Sequence, residues 1–333
     1  MTKQWTQKDI LEIGSSFHKA CILTAAAKLD IFSPLADNPM TASSLAARLG
    51  TELRATTIIL NALTAMELLA KEDDCYSVPD SVAHLLTEQS PGSVLPMLLH
   101  QHNCLNRWAQ LSNIVQLGRP DDTIFTTQGN DASMAAFIGA MHVVSASMAD
   151  EVVGRLGSLS FTHLLDIGGA SGTWTIALLR DNPKARATLF DLPPVIPMAE
   201  KRIADAGLSD RVALAAGDFY TDELPKGVDL AWFGAICHQN SRQQNRDLFS
   251  KAHKALVDGG SVVIRDVVVD GSHTSPPYGA LFAVNMLVAT EAGGTYTFDE
   301  YSEDLQQAGF TDVSLVHRDP GMNSLITATK AST

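Results

Sequence analysis

The stretch HLLDIGGASGTWTIALL, residues 163–179, decides the fold of the C-terminal half of this chain. A short apolar run reaches Asp166, the glycines Gly168, Gly169 and Gly172 follow, and a helical pattern comes directly after them. Glycine lets the backbone turn tightly and lets a ligand approach it closely. The stretch therefore predicts a strand, a ligand-binding turn and a helix.

The chain beyond this stretch alternates between apolar segments and amphipathic helical patterns. Six of the apolar segments are predicted as further strands: ATLFDL (187–192), RVALAAGDF (211–219), VDLAWFGAIC (228–237), SVVIRDVVV (261–269), VSLVH (313–317) and SLITATK (324–330). Strands that alternate with helices form a parallel, doubly wound sheet. The last two strands follow each other closely, which predicts an antiparallel edge.

Acidic residues end the first three predicted strands. Asp191 ends the second strand and can accept hydrogen bonds from ribose hydroxyls, as acids at this position do in nucleotide-binding sheets. Asp218 ends the third strand, where it can accept from an adenine amino group, and Phe219 can stack on the base. One such acid could merely cap a helix. Three in register with a glycine turn, Asp166 included, predict a nucleoside site at the carboxyl edge of the sheet.

The N-terminal third has a helix, turn, helix and hairpin pattern, which is typical of a winged helix. Its second helix does not suit DNA, because Arg54 is the only basic residue between Glu52 and Leu69. Ile58, Leu60 and Leu63 on this helix are expected to be buried. The pattern therefore favours a dimerisation or lid role.

Bulk composition narrows the functional classes. The 333 residues carry a formal net charge of −13, which disfavours nucleic acid as a partner. The N-terminus lacks a signal-peptide core, and no apolar run is long enough to span a membrane, so a cytoplasmic protein with reduced thiols is expected. His100 and His102 form an H-x-H without an obvious third ligand, so no metal is predicted. These two side chains could instead line an acceptor pocket.

From Asp166 to about Lys330, the chain resembles the small-molecule O-methyltransferases related to caffeic acid and hydroxyindole O-methyltransferases. The N-terminal half is similar to their dimerisation domain. The resemblance implies an α/β fold: a Rossmann-like methyltransferase sheet of seven strands with an antiparallel edge, preceded by a mostly helical winged-helix domain. It implies a winged-helix dimerisation domain at 1–110, connecting helices at 111–160 and a cofactor-binding domain at 161–333. The expected cofactor is S-adenosyl-L-methionine, and the expected assembly is a homodimer through the N-terminal domain.

The resemblance also assigns the residues of the cofactor site. The family's cofactor contacts map onto Ser145, Asp166, Gly168, Gly169, Gly172, Asp191, Asp218 and Phe219. One contact is missing, because the family's basic residue near adenine falls at Gly234.

His238 occupies the place of the family's catalytic histidine, and Asp266 that of an acid which orients it. A neutral imidazole within reach can take the proton of a phenol. Two positions depart from the family pattern: Gln239 replaces an acid directly after the histidine, and Thr295 replaces the second orienting acid.

In the family, two methionines contact a flat acceptor ring from either side, and these positions map onto Met141 and Met286. Sulfur–aromatic contacts are favourable, so this pair favours an aromatic acceptor. The predicted activity is therefore methylation of a hydroxyl on a small, aromatic metabolite of secondary metabolism, with His238 as general base. N- or C-methylation, or another reaction of the sulfonium cofactor on the same fold, remains an alternative. A winged-helix transcriptional regulator is less favoured, given the acidic charge and apolar second helix.

Overall fold

The computed structural model describes residues 3–88, 90–120, 131–157 and 159–332, with only the backbone described at 131–133. The chain forms two compact units. The N-terminal unit contains residues 1–106 and 135–143, and the C-terminal unit contains residues 107–134 and 144–333. The segment 111–160, predicted to hold connecting helices, is thus shared between the units; its residues 121–130 and 158 lie outside the described residues.

The N-terminal unit is mostly helical. Its helices are α1 (Gln7–Ser15), α2 (Phe17–Lys28), α3 (Phe32–Asp37), α4 (Ala42–Leu49), α5 (Leu53–Ala65), α6 (Asp80–Leu86) and most of α7 (Leu95–Trp108). A small antiparallel sheet of order β1-β3-β2 completes it, with strands β1 (Met40–Thr41), β2 (Ala70–Glu72) and β3 (Cys75–Ser77). The helices α4 and α5 followed by the β2–β3 hairpin give the predicted winged-helix order.

Local signals in the sequence set the ends of α4. The Thr41 side chain accepts a hydrogen bond from the Ser44 backbone, and Gly50 ends the helix at φ 66°, a conformation that glycine adopts without strain. On α5, Leu60 and Leu63 are fully buried, as expected. The expectation for Ile58 was wrong: its side chain is 51% exposed, because it lies on the opposite face of the helix.

The C-terminal unit alternates helices and strands. Helix α9 (Asp131–Ala146) contributes residues to both units; the other helices are α8 (Leu111–Leu117), α10 (Ala149–Gly154), α11 (Thr173–Asp181), α12 (Ile196–Asp205), α13 (Arg242–Ala255), α14 (Pro277–Ala289) and α15 (Phe298–Gln307). The strands are β4 (His163–Ile167), β5 (Arg186–Asp191), β6 (Val212–Ala216), β7 (Val228–Gly234), β8 (Leu256–Asp266), β9 (Val268–Val269), β10 (Tyr296–Thr297), β11 (Phe310–His317) and β12 (Ser324–Lys330).

The main sheet has seven strands in the order β11-β12-β8-β7-β4-β5-β6. The pairs β8–β7, β7–β4, β4–β5 and β5–β6 are parallel, while β12 runs antiparallel to both β8 and β11. This confirms the predicted parallel sheet with an antiparallel edge. Since β4, β5, β6, β7 and β8 are parallel, their carboxyl ends share one edge of the sheet, where ligands bind in such folds.

Side chains on each strand alternate between two hydrophobic cores, one on each face of the sheet. Helices α13 and α15 cover one face, with Phe249 and Leu305 buried there. Helices α10, α11 and α12 cover the other, with Leu178 and Ile203 buried. With both faces covered, only the strand ends and the loops between them are left for chemistry.

The segment 261–269, predicted as one strand, is in fact two. Strand β8 ends at Asp266, and β9 leaves the main sheet to pair in parallel with β10. The change of partner brings the segment that precedes β10 to the carboxyl end of β8.

Candidate active site

The glycine turn between β4 and α11 packs closely against its neighbours. Gly168 has φ +68°, and its N–H donates to the Phe190 carbonyl at 2.8 Å, which continues the β4–β5 register into the turn. A Cβ at Gly168 would lie 2.5 Å from the Ile236 side chain and 3.6 Å from the ring of Phe219. The turn is therefore in contact with the loops that follow β6 and β7.

Asp191, at the end of β5, lies beside the same turn. Its carboxylate accepts the backbone N–H groups of Ala170 and Leu192, each at 2.7 Å. Burial raises the pKa of Asp191 above its usual value, and these two backbone hydrogen bonds lower it in part. Each carboxylate oxygen has two lone pairs, so both oxygens can accept one more donor. The carboxylate is fixed in place and still able to bind hydroxyl groups.

Asp218 and Phe219 begin the loop after β6, and both are half-buried. One Asp218 oxygen accepts the Tyr220 N–H at 2.8 Å; among the described residues, no donor reaches the second. The Gly217 N–H bonds to the Asp191 carbonyl at 2.9 Å, so the loop starts in register with the end of β5. Asp191, Asp218 and Phe219 thus lie around the glycine turn.

Asp166 differs from the other two acids. Its carboxyl group is only 1% exposed and accepts a hydrogen bond of 2.5 Å from the Thr175 hydroxyl on α11. Burial raises the pKa of Asp166 to about 7, opposed by the Thr175 hydrogen bond and supported by the nearby Asp191 charge. The structure places Asp166 beneath the turn, where it ties β4 to the first turns of α11.

This burial makes an Asp166→Asn variant more stable than the wild type at high pH. Between pH 4 and 7 the folded protein keeps the Asp166 proton that the unfolded chain has lost, so wild-type stability falls as pH rises through this window. Asparagine does not titrate. We expect a gain on the order of 2–4 kcal/mol at pH 8, since one pKa unit corresponds to about 1.36 kcal/mol.

Urea unfolding at pH 5 and pH 8 measures this difference. The gain should shrink strongly at pH 5, where the wild-type carboxyl is already neutral in the folded state. Asp205→Asn, at a side chain that is 67% exposed, serves as the control and should show no comparable pH dependence. An equal gain for Asp166→Asn at both pH values would contradict the prediction.

His238 and Asp266 form a direct pair at the ends of β7 and β8. The Nδ1 of His238 lies 2.8 Å from Oδ1 of Asp266, and the His238 backbone N–H donates to Oδ2 at 3.1 Å. The Val267 N–H also donates to Oδ1, at 2.7 Å. Asp266 is fully buried, whereas 13% of the His238 side chain is exposed. With Nδ1 donating to the carboxylate, the neutral imidazole has its lone pair on Nε2.

The segment before β10 holds the His238 backbone from the other side. The Gly294 N–H donates to the His238 carbonyl at 2.8 Å. Gly293 is packed so closely that a Cβ there would lie 2.5 Å from the same carbonyl oxygen. Thr295, where the family pattern has an acid, follows directly and is 7% exposed. The backbone of this segment positions the histidine, and its uncharged side chain leaves Asp266 as the acid that bonds to the imidazole.

Helix α14 adds two aromatic residues that the sequence analysis missed, beside the predicted Met286. The ring of Phe282 packs edge-on against His238, with centroids 4.9 Å apart, and Tyr278 stacks on Phe282 at 5.7 Å. Met286 follows one turn later and is buried. The spacing 278, 282 and 286 puts all three side chains on one face of the helix. That spacing was the available signal, and we define these three residues as the α14 wall.

The other predicted site residues have the following places. Ser145 is buried near the end of α9 in the C-terminal unit, and Met141 is half-buried on α9 within the N-terminal unit. At Gly234, a Cβ would lie 2.6 Å from the Trp232 indole nitrogen, so the missing basic side chain has no space in this packing. The roles of Ser145 and Met141 stay predictions.

His100 lies within the N-terminal unit, 3.5 Å from the Cys104 sulfur and with its ring 5.3 Å from that of Phe137. His102 is on the same helix. Over the described parts of the chain, no three histidine, cysteine or acidic side chains are arranged to hold a metal ion. No helix within these parts is sufficiently long and apolar to cross a membrane.

The geometry fits the adenosine part of S-adenosylmethionine. Asp191 offers a fixed pair of acceptor oxygens, and Asp218 has an unused one. Gly168 has no side chain and lies between the loops that follow β6 and β7. The half-buried ring of Phe219 lies beside Gly168 and packs on Tyr220, with centroids 4.6 Å apart. A nucleoside needs these features: acceptors for hydroxyl and amino groups, and an apolar surface for the base.

Comparisons with known proteins identify the family of this chain. A family model described as the O-methyltransferase domain matches residues 108–311, and one described as the O-methyltransferase dimerisation domain matches residues 11–88. The chain is 31% identical to 3-hydroxy-5-methyl-1-naphthoate 3-O-methyltransferase of Streptomyces sahachiroi, over 97% of this chain and 95% of that protein. It is also 31% identical to L-tyrosine C(3)-methyltransferase of Streptomyces lavendulae, over 92% and 88% of the two chains.

A solved structure shows the same fold. Human N-acetylserotonin methyltransferase, in complex with SAM, matches with a TM-score of 0.82 at 22% identity, covering 100% of both chains. Together with the family models, these matches establish that the chain belongs to the O-methyltransferase family and is an S-adenosylmethionine-dependent methyltransferase.

Proposed function

We propose that the enzyme methylates a phenolic hydroxyl of a small aromatic molecule, with His238 as general base. The observation that carries the proposal is the His238–Asp266 pair, in which a buried carboxylate bonds to Nδ1 at 2.8 Å. This arrangement fixes the tautomer and orientation of the ring and leaves Nε2 as a proton acceptor.

The cofactor site lies beside this pair. Asp191 would hold the ribose hydroxyls, Asp218 the adenine amino group, and Phe219 the face of the base, while Gly168 belongs to the turn between them. Gly169 and Gly172 complete that turn, and Ser145 is the contact proposed from α9. Bound S-adenosylmethionine supplies an electrophilic methyl group on its sulfonium sulfur.

The acceptor must present an oxygen lone pair, which a phenol of pKa about 10 offers poorly at neutral pH. Nε2 of His238 takes the hydroxyl proton as the oxygen attacks, and the resulting imidazolium keeps its Nδ1–H bonded to Asp266. Because Asp266 is fully buried and already accepts three N–H groups, it stabilises the charged ring without moving.

An aromatic acceptor fits the side chains next to the base. The α14 wall places Phe282 against His238 and Tyr278 against Phe282, so a flat ring can pack where the imidazole is exposed. Met286 on α14 and Met141 are the thioether contacts proposed from the family resemblance. The relative from Streptomyces sahachiroi is named for 3-O-methylation of a hydroxynaphthoate, which is an acceptor of this class.

C-methylation is the second candidate. The relative from Streptomyces lavendulae is named for transfer to C(3) of tyrosine at the same 31% identity. A phenolate activates its ring carbons as well as its oxygen, so the same base could serve both outcomes. The site of transfer would then depend on how the ring is oriented against the α14 wall.

Incubation with cofactor labelled at the methyl group tests both candidates. The panel should contain hydroxylated naphthoates, catechols, tyrosine and aromatic amines, and mass spectrometry should locate the label in each product. Label on a phenolic oxygen is the expected result. Label on carbon or nitrogen would replace the proposal with the alternative, and cofactor binding without any transfer would count against both.

We also propose that the enzyme works as a homodimer through the N-terminal unit. The dimerisation-domain model covers residues 11–88. Large apolar side chains near the N-terminus are more than half exposed: Trp5, Ile10, Leu11, Ile13 and Phe17. A solution mass of twice the 35.7 kDa chain, measured by light scattering, is expected, and a monomer at micromolar concentration would refute it.

A further inference from the structure

The loop that follows β6 is held by a lysine from α13. The Nζ of Lys251 donates to the backbone carbonyls of Phe219, Tyr220 and Asp222, at 2.8, 2.9 and 2.9 Å. The loop closes on itself as well, since the Asp218 N–H donates to the Asp222 carboxylate at 2.8 Å. The two proposed adenine contacts, Asp218 and Phe219, are therefore linked by hydrogen bonds to the rest of this loop, so that a displacement of one residue affects the others.

The segment that carries His238 is held around Asn240. This residue is fully buried; its side-chain N–H donates to Asn245 at 3.0 Å, and its backbone carbonyl accepts the Tyr296 hydroxyl. Asn245 in turn donates to the Cys237 carbonyl at 3.0 Å. Cys237, His238 and Asn240 thus belong to one hydrogen-bonded segment, whose position decides where the imidazole lies.

One side-chain hydrogen bond joins the loop after β6 to the 237–240 segment among the described residues. The Tyr220 hydroxyl donates to the Asn240 side-chain oxygen at 2.5 Å, and it is the one hydrogen bond between the two loops within the described ranges. Burial, then the Asp218 charge, raise the pKa of Tyr220, so the phenol stays a donor at neutral pH. The Asn240 oxygen is buried and would otherwise be unsatisfied, which makes this bond costly to break.

We propose that Tyr220 is a positioning residue that couples cofactor binding to the placement of His238. This inference rests on the proposed function, because it takes Asp218 and Phe219 as adenine contacts and His238 as the base. When the adenine fixes the loop after β6, the Tyr220–Asn240 hydrogen bond fixes the 237–240 segment, and with it the imidazole. Asn240, two residues after His238, supplies the acceptor oxygen for this bond.

The test measures the His238 ring directly, without turnover. The ten histidines are labelled with ¹³C and ¹⁵N in the full-length protein, and the His238 signal is assigned by its loss in His238→Ala. S-adenosylhomocysteine is then added to the wild type and to Tyr220→Phe, and its affinity for each is measured by calorimetry. Tyr76→Phe is the matched control, because Tyr76 also donates to an asparagine oxygen, that of Asn61 at 2.7 Å, but lies in the N-terminal unit.

In the wild type and in Tyr76→Phe, the ligand should shift the His238 ring signal. In Tyr220→Phe it should still bind, with an affinity reduced by less than about fivefold, the lower end of typical coupling between two sites, while the His238 shift is largely lost. With a phenolic acceptor, kcat of Tyr220→Phe should fall between about 10- and 100-fold, as expected for a displaced base, with little change in acceptor KM.

Three other outcomes would overturn the inference. The first is a full ligand-induced His238 shift in Tyr220→Phe, and the second is no such shift in the wild type despite binding. The third is that the wild type does not bind S-adenosylhomocysteine, which would also refute the cofactor site. If the coupling is seen but no phenol is methylated, the inference stands and the proposed acceptor chemistry fails instead.

Discussion

Replacing His238 with alanine should lower kcat for a phenolic acceptor by between about 100- and 10,000-fold, the range that general-base catalysis supplies. The loss follows from the geometry of the pair, since no other described side chain bonds to Asp266 through a ring nitrogen. Binding of S-adenosylhomocysteine should stay close to the wild-type affinity, because His238 makes no contact with Asp191 or Asp218. Steady-state kinetics and calorimetry on the same preparation measure both quantities.

Two comparisons make this prediction specific to proton transfer. An acceptor that is already ionised at the assay pH should lose much less activity in His238→Ala, since it has no proton to give up. Asp266→Asn should reduce kcat as well, and combining it with His238→Ala should add little, because the two residues act as a unit. His273→Gln, at a half-exposed histidine that bonds to neither, is the control. Undiminished turnover of a neutral phenol by His238→Ala would remove the general-base role.

A methyl group added at Gly293 should also reduce turnover, by about 100-fold, through its effect on the position of His238. In Gly293→Ala, the new Cβ would lie 2.5 Å from the His238 carbonyl oxygen and 3.0 Å from the Gln239 carbonyl carbon. Both are backbone atoms that cannot rotate away. The His238 carbonyl must move, which strains its hydrogen bond from Gly294 and shifts the imidazole relative to Asp266.

The neighbouring glycine gives a matched control. In Gly294→Ala the nearest atoms to the new Cβ are those of the Tyr296 ring end, at 3.9 and 4.0 Å, which is ordinary van der Waals contact. This variant should keep near-normal kcat. Thermal melting and binding of S-adenosylhomocysteine on both variants separate a displaced histidine from a general loss of structure. Equal kcat values for the two variants would show that the close packing at Gly293 does not position His238.

Most of the C-terminal fold follows from periodicity in the sequence. The short apolar runs at 163–168, 187–192 and 324–330 became β4, β5 and β12, and the helix after Gly172 begins at Thr173, as the glycine turn predicts. Because these signals lie within the elements themselves, they were sufficient to predict these strands and this helix. The division at Asp266 was missed because Val267, Val268 and Val269 continue the apolar run, and only the tertiary pairing of β9 with β10 shows that the sheet partner changes.

The candidate site could be predicted only where a residue ends a strand. Asp191, Asp218, His238 and Asp266 all follow or end apolar runs, so their shared edge of the sheet could be expected from the order of elements. The contribution of α14 could not be predicted in this way. Helical spacing shows which residues share one face of the helix, but it does not show which part of the fold that face packs against. The burial of Asp166 was equally hidden, because an acid at a strand end looks the same in sequence whether it is exposed to ligand or bonded to Thr175 beneath it.

The α14 wall has a consequence for how this enzyme can evolve or be engineered. The hydrogen bonds that hold His238 come from Asp266 and Gly294, while α14 contributes ring contacts but no hydrogen bond to the base among the described residues. Tyr278 is 44% exposed. We therefore expect exchanges at Tyr278 and Phe282 to reshape the proposed acceptor surface while the hydrogen bonds that hold His238 are kept. Libraries restricted to these two positions are expected to change the acceptor range, because under the proposed function the acceptor contacts come from α14 while the proton is taken by the His238–Asp266 pair.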